Sequence, residues 1–272
     1  LALQFHPDRL DAGRSLNQGE IDVNLAAPEL EARAKIDELP SLAPSNPISR
    51  NGVVQGVLDL FDSPDYLEIG VNKGMTFNAL KAATKVAVDP KFLFDFHAVA
   101  KEVPGTSFHE TTSDDFFGRI AQRDTAFDVI YLDGLHTCEQ TVRDLINAIS
   151  FLKPNGVIVV DDVFPCSYAA SLHERAETRV IRQATGDPLG AWMGDVYRLV
   201  FFIETFCQQF SYGTVNNNHG QLVLWRDPRA AVPGRTLTEV GEKTYKHLFL
   251  EKDSFCVAPL DEILSRIVAA RR

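Results

Sequence analysis

The chain has 272 residues, of which 45% are hydrophobic and 24% charged, and it carries a formal net charge of −10. That length allows one sizeable domain with additions. The acidity makes nucleic-acid backbones and anionic membranes poor bulk partners and suits a soluble protein that holds a divalent cation. No apolar run approaches the ~20 residues that span a bilayer, and Leu1 to Asp8 lack the basic flank and apolar stretch of a signal peptide. Cys138, Cys166, Cys207 and Cys256 make no C-x-x-C pair, so reduced packing thiols and a cytoplasmic location are expected.

Residues 1–50 are expected to form an arm or lid. A single helix is read over 28–39 from Leu30, Ala34 and Ile36, and Pro40, Pro44 and Pro47 keep it from continuing. A helix is expected over 52–61, after which strands and helices alternate. The strands are read at 66–69, 85–88, 107–109, 127–132 and 157–160. The helices between them are read at 75–83, 94–103, 113–122 and 139–152. Strands separated by helices argue for a parallel sheet, because parallel neighbours need crossovers. Helices are then expected near 175–183 and 197–208. Strands at 210–215 and 221–225 flank Asn216-Asn217-Asn218-His219-Gly220, a joint short enough to make them an antiparallel pair. The expected fold is α/β: a doubly wound, Rossmann-like mixed seven-stranded sheet over 51–226 with a terminal hairpin. Residues 227–272 are expected as a helical extension that includes a helix over 260–269.

The chemistry-bearing residues collect at predicted strand ends. The first strand runs through Glu68 into Gly70-Val71-Asn72-Lys73-Gly74, and the second ends on Asp89. Glycines let a backbone approach a nucleoside closely, and an acid at the next strand tip accepts from ribose hydroxyls. The spacing is not G-x-G-x-x-G, because Asn72 stands where a second glycine would, which counts against NAD. Asp133 follows the fourth strand and Asp161-Asp162 the fifth. With Glu68 and Asp89, these carboxylates share one sheet edge and would repel one another without a compensating cation or ligand.

The ordered set Glu-Ile-Gly-Val-Asn-Lys-Gly, Val-Asp-Pro, Phe-Asp-Val-Ile-Tyr-Leu-Asp-Gly-Leu-His and Leu-Lys-Pro-Asn-Gly-Val-Ile-Val-Val-Asp-Asp resembles class I S-adenosylmethionine-dependent methyltransferases over about residues 50–226. Its Asp-Gly-x-His and Asp-Asp elements are similar to those of metal-dependent sugar O-methyltransferases that modify antibiotic deoxysugars or mycobacterial polymethylated polysaccharides. The resemblance implies that Glu68, Gly70, Asn72, Gly74, Asp89, Ser113 and Asp133 bind S-adenosylmethionine, with Ser113 near the adenine. It also implies that Asp133, Asp161 and Asp162 hold Mg²⁺ or Mn²⁺, hard ions suited to carboxylate oxygens. A sugar hydroxyl is a weak nucleophile near neutral pH, so a base is needed, and His136 is placed to serve.

The implied acceptor is a carbohydrate or a glycosylated small molecule. No nucleic acid or membrane partner is expected, and the terminal segments either close the site or build a homodimer. A catechol-type acceptor is the rival within methyltransferases. A metal-dependent hydrolase using the same carboxylates is the rival outside them, and a non-catalytic scaffold is the third. Tyr168, His173, Glu174 and Trp192 are candidates for the acceptor side. His109 and His219 are weaker candidates than His136, and Phe201, Phe202 and Phe206 are read as core.

Overall fold

The computed structural model describes residues 47–271 except 123 and 189, so residues 1–46 of the expected arm, with its 28–39 helix, lie outside the described residues, and Arg50 at its end opens the first helix. Helix α1 (Arg50–Leu58) leads into β1 (Asp65–Ile69), and β2 (Thr84–Asp89) comes next. Helix α2 (Phe96–Glu102), β3 (Thr106–Glu110) and the short α3 (Ser113–Asp115), which continues as a π turn over Phe116–Ile120, complete the first half. The second half holds β4 (Phe127–Leu132), α4 (Cys138–Ser150), β5 (Leu152–Val160), α5 (Arg175–Thr185) and α6 (Arg198–Phe206). The chain closes with β6 (Phe210–Val215), β7 (Leu222–Arg226), α7 (Leu237–Gly241), α8 (His247–Leu250), β8 (Val257–Ala258) and α9 (Leu260–Ala270).

These strands form one sheet in the order β3-β2-β1-β4-β5-β7-β6-β8. The first five in that order run parallel, and β7 pairs antiparallel with both β5 and β6. The chain reaches β3 on one side of β1 and returns to β4 on the other. That reversal opens a crevice beyond the carboxyl ends of β1 and β4, the place where such sheets take ligands.

Side-chain alternation along the strands makes two cores. Leu67, Ile69, Ile130, Leu132, Ile158 and Val160 face Leu145 and Ala148 of α4 and Leu199, Val200 and Ile203 of α6. Tyr66, Val129, Tyr131, Val157 and Val159 face Val53, Val54 and Val57 of α1 and Ile263 and Ile267 of α9. Helices on both faces of a mostly parallel sheet are the doubly wound arrangement expected from the sequence. No helix among the described residues is long and apolar enough to cross a membrane.

Four local expectations change. The helix read over 75–83 is only a 3-10 turn, Phe77–Ala79. The Lys85 ammonium donates to the Phe77 and Leu80 carbonyls at 2.8 and 3.1 Å, oxygens that a longer helix would use itself. The sheet has eight strands rather than seven, because Val257 and Ala258 pair with Thr214 and Val215. Strand β5 begins at Leu152, and Lys153-Pro154-Asn155-Gly156 is absorbed by a register shift opposite Phe127 and Val129. A bulge tolerates a proline that a regular ladder would not. Phe201 is buried as expected and Phe202 packs against the core, whereas Phe206 is exposed.

The C-terminal segment is sealed to the sheet by Phe255, which is fully buried. Its ring meets Phe164 and Phe201 edge-on at centroid distances of 5.4 and 5.5 Å. Phe255→Ala is expected to cost about 3–5 kcal/mol in urea unfolding. A cost below about 1 kcal/mol would show that residues beyond β7 contribute little to the core.

Candidate active site

The site grows from ladder hydrogen bonds that continue past the strand ends. Gly70 N donates to Val88 O at 2.9 Å, Asp133 N to Ile69 O at 2.8 Å, and Asp161 N to Leu132 O at 3.0 Å. The loops after β1, β4 and β5 are thereby held side by side. Gly70 has φ +87°, and a Cβ there would lie 1.9 Å from the Asp133 carbonyl oxygen. Only glycine permits this closeness. Gly74, at φ +72°, turns behind the loop against Asn78 and Phe94 and does not line the cavity.

A cavity of about 800 Å³ opens over these loops, and Glu68, Gly70, Asn72, Asp89, Ser113, Asp133, His136 and Asp162 line it. Asp89 is fixed at both oxygens: Asn72 N donates to Oδ2 at 2.8 Å and Lys91 N to Oδ1 at 2.7 Å. Asn72 holds a left-handed backbone, φ +51°, which asparagine tolerates better than most residues. Glu68 is buried at the cavity floor and accepts from Tyr66 Oη at 2.6 Å. Burial pushes its carboxyl up to about 8 despite that hydrogen bond and the charge of Lys85.

At the other end, Gln140 Nε2 donates to Ser113 Oγ at 3.2 Å and to Asp144 Oδ1 at 3.0 Å. Asp144 is buried, and burial raises its pKa. Gln140 and Asp144 both line the cavity, yet the sequence does not single them out, because α4 shows mainly its apolar face. Their signal is the i, i+4 polar pair beside that face.

The acidic cluster lies where β4 and β5 end. His136 Nδ1 is 2.5 Å from Asp162 Oδ2, and Asp162 is itself left-handed at φ +61°, a costly conformation for a residue with a Cβ. Asp133, His136 and Asp162 offer ligand atoms within 4.8 Å of one another, as do Asp161, Asp162 and His219. Asp161 is buried and does not line the cavity; Arg50 and His219, which contact it, do. His219 Nε2 is 2.8 Å from Asp161 Oδ1. Arg50 Nη1 donates to Asp133 Oδ2 at 2.9 Å, and Nη2 lies 2.7 Å from Asp161 Oδ2.

The charges divide accordingly. Burial opposes ionisation of Asp161, but His219 and Arg50 outweigh it and hold the carboxyl below its ordinary range. Burial and the Asp161 charge push Asp133 well above that range. The same causes raise Asp162 in spite of His136. Burial acts against charge on His219, yet Asp161 raises its pKa overall. Asp161 Oδ2 is buried and accepts no aligned hydrogen bond. A buried carboxylate oxygen left in that state, beside Asp162 and the His219 imidazole, fits a hard divalent cation, although Asp133, Asp161 and Asp162 do not themselves form one such group.

The sequence marks His219 only weakly and Arg50 not at all. The signal for His219 is topological. Strand β7 runs antiparallel to β5, with Leu222 opposite Val160, so the turn before β7 must lie where β5 ends. Arg50 has no such signal. Trp192 lines the cavity, with its ring 5.1 Å from that of His136 and Nε1 donating to Leu172 O at 2.9 Å. Tyr168, His173 and Glu174 do not line it; His173 Nδ1 instead lies 3.1 Å from Asp195 Oδ2. His109 packs against Phe116 with the rings tilted, and burial lowers its pKa. The four cysteines are free thiols.

Residues 67–163, which carry the glycine loop, Asp89 and all three clustered aspartates, match the model of a methyltransferase domain. The match spans 97 of the 272 residues and shows that this segment resembles a methyltransferase domain. No curated protein matches it. Among solved structures, it is similar to a putative caffeoyl-CoA O-methyltransferase from Staphylococcus aureus at 13% identity and a TM-score of 0.47, covering 75% of this chain and 93% of that one. It is also similar to the O-methyltransferase TomG of tomaymycin synthesis from Streptomyces achromogenes, in complex with SAM, at 18% identity and TM-score 0.46, covering 76% and 92%. An O-methyltransferase from Bacillus cereus in complex with SAH aligns at 15% identity and TM-score 0.44, covering 73% and 88%.

Glu68 gives a pH test. Its carboxyl ionises near 4.5 in the unfolded chain and at about 8 in the fold. The stability tied to its proton is therefore complete below about pH 4.5 and is lost as pH rises to about 8. Glu68→Gln lacks that loss. Its stability relative to wild type should rise between pH 5 and 8 in urea unfolding. A difference that stays flat over this range would show that Glu68 is ionised in the fold.

Proposed function

We propose that the chain transfers a methyl group from S-adenosylmethionine to a hydroxyl oxygen of a carbohydrate or glycosylated small molecule, with a divalent cation held at Asp133, Asp161 and Asp162. One observation carries the reading: a histidine anchored on a carboxylate shares the cavity with a nucleoside shelf. His136 and Asp162 lie at one part of it, and Asp89, fixed by two backbone N–H groups, at another.

The cofactor supplies a methyl group already activated on a positively charged sulfur. The cation supplies positive charge that makes an acceptor alcohol easier to deprotonate. The chain's own residues do the rest. Asp89 accepts from the ribose hydroxyls, and the close packing of Gly70 on the Asp133 carbonyl shapes the floor under the methionine part. Ser113, with Gln140 and Asp144 behind it, suits the adenine edge.

With the proposed cation keeping Asp162 ionised, Asp162 would accept at His136 Nδ1 and leave Nε2 to act as base. His136 Nε2 would take the acceptor hydroxyl proton, while S-adenosylmethionine would supply the methyl group, so that S-adenosylhomocysteine, the methyl ether and a protonated His136 would result. Holding the two reactants in line accounts for much of the acceleration. Trp192 gives the acceptor a flat apolar wall next to the base, a surface suited to the C–H face of a sugar. A hydrolase working on the same carboxylates would leave the nucleoside shelf without a use, and the methyltransferase domain match stands against it.

His136→Ala, supplied with Mg²⁺, should lose about 10²–10⁴ in turnover on a sugar acceptor while binding S-adenosylhomocysteine within a few-fold of wild type. Substantial residual turnover on a catechol, with little on any sugar, would transfer the acceptor assignment to phenols, which ionise without help. Undiminished turnover on a sugar would remove His136 as the base.

A further inference from the structure

The cation that the acidic cluster does contain belongs to the chain itself. Arg50 reaches Asp133 Oδ2 with one nitrogen and Asp161 Oδ2 with another, at 2.9 and 2.7 Å. Its Nε and Nη2 also lie 3.4 Å from His219 Nε2. Those two carboxylate oxygens belong to residues assigned to the metal. The Asp161 side chain is only 1% exposed and reaches the cavity through Arg50 and His219. The Arg50 side chain is 37% exposed, so its head group has room to move out.

We propose that Arg50 is the resident counter-charge of the acidic cluster, and that a divalent cation binds Asp133 and Asp161 only by displacing the Arg50 guanidinium into the cavity. This rests on the metal reading of the proposed function. A guanidinium and a divalent ion compete for the same two oxygens: both are cations, and in a partly buried site their repulsion is weakly screened. Arginine cannot yield by losing its proton, since its pKa lies far above any working pH. The neighbouring carboxylates, Asp161 first among them, raise it further against the effect of burial. The side chain has to swing away.

The backbone that carries Arg50 is held in place, so the motion is confined to the side chain. Ser49 caps α1 by accepting from Gly52 N at 3.2 Å, and Ile48 N donates to Asn217 O at 2.8 Å. The second bond ties the start of α1 to the turn that bears His219. Arg50 and His219 therefore approach Asp161 from two tethered segments. His219 takes Oδ1 and Arg50 stands at Oδ2, the oxygen without an aligned hydrogen bond.

The consequence is an affinity set by competition. If the metal-competent arrangement is the one with Arg50 swung out, apparent metal affinity falls by the fraction of time spent there. Removing the guanidinium should tighten metal binding, whereas a residue that supports the metal should loosen it when removed.

The test is Mn²⁺ binding to the full chain, followed by the electron paramagnetic resonance of free Mn²⁺, for wild type, Arg50→Gln and Arg50→Lys. Arg50→Gln should bind about tenfold or more tightly than wild type. Arg50→Lys, which keeps the charge but cannot span both oxygens, should fall between them, and it provides the comparison should the glutamine variant not fold. In the wild type, the Arg50 guanidinium nitrogen resonance should shift on saturation with diamagnetic Mg²⁺. Wild type and Arg50→Gln binding Mn²⁺ equally, or the variant binding more weakly, would overturn the role of Arg50 and leave the metal site standing. Absence of Mn²⁺ binding to every form would remove the metal reading and the displacement with it.

Discussion

Like charge in a confined space governs this molecule. Asp133, Asp161 and Asp162 are brought to one edge of the sheet by the ends of β4 and β5, and the backbone bonds that align those ends leave the carboxylates little freedom to separate. Three such carboxylates, two of them buried and Asp133 partly so, cannot all ionise without positive charge nearby. The protein meets this with Arg50, His219 and His136, drawn from three different segments. Asp161 is held ionised while Asp133 and Asp162 are driven toward the neutral form. The result is a cluster whose negative charge is offset by the chain's own cationic groups.

Much of the surrounding architecture serves that edge. The reversal of strand order at β1 supplies the crevice, and the contact between Gly70 and the Asp133 carbonyl joins the glycine loop to the acidic cluster. The antiparallel β7 is what returns the chain to the end of β5 and delivers His219. Helix α1 and the turn after β6 are tied by one backbone hydrogen bond, and between them they surround Asp161. Elements remote in sequence thus converge on one carboxylate because the sheet puts their ends together.

The parts of this arrangement that are legible in the sequence share a cause. Glu68, Asp89, Asp133, Asp161 and Asp162 each lie at the end of an apolar run that could only be a buried strand, and a strand end fixes a residue's place in a doubly wound fold. His136 follows three residues after Asp133 on the same loop, whereas Ser113 is singled out only by the family resemblance. The parts that are not legible depend on pairing between distant segments. Arg50 opens a helix and looks like any solvent-facing arginine until the sheet carries Asp133 and Asp161 beneath it. His219 sits in a polar turn whose position is decided by the direction of β7. The missing helix after β1 has a similar origin, since Lys85, from the next strand, claims the carbonyls that a helix would need. The eighth strand is two residues long and carries no periodicity to read.

The central claim is that the cavity over the glycine loop and Asp89 is built for S-adenosylmethionine, so the most direct measurement is calorimetric titration with S-adenosylhomocysteine, with NAD as the control ligand. The account predicts micromolar binding of S-adenosylhomocysteine, no binding of NAD, and loss of binding in Asp89→Ala. Failure of folded, Mg²⁺-supplied protein to bind S-adenosylhomocysteine, or equal binding of NAD, would contradict it.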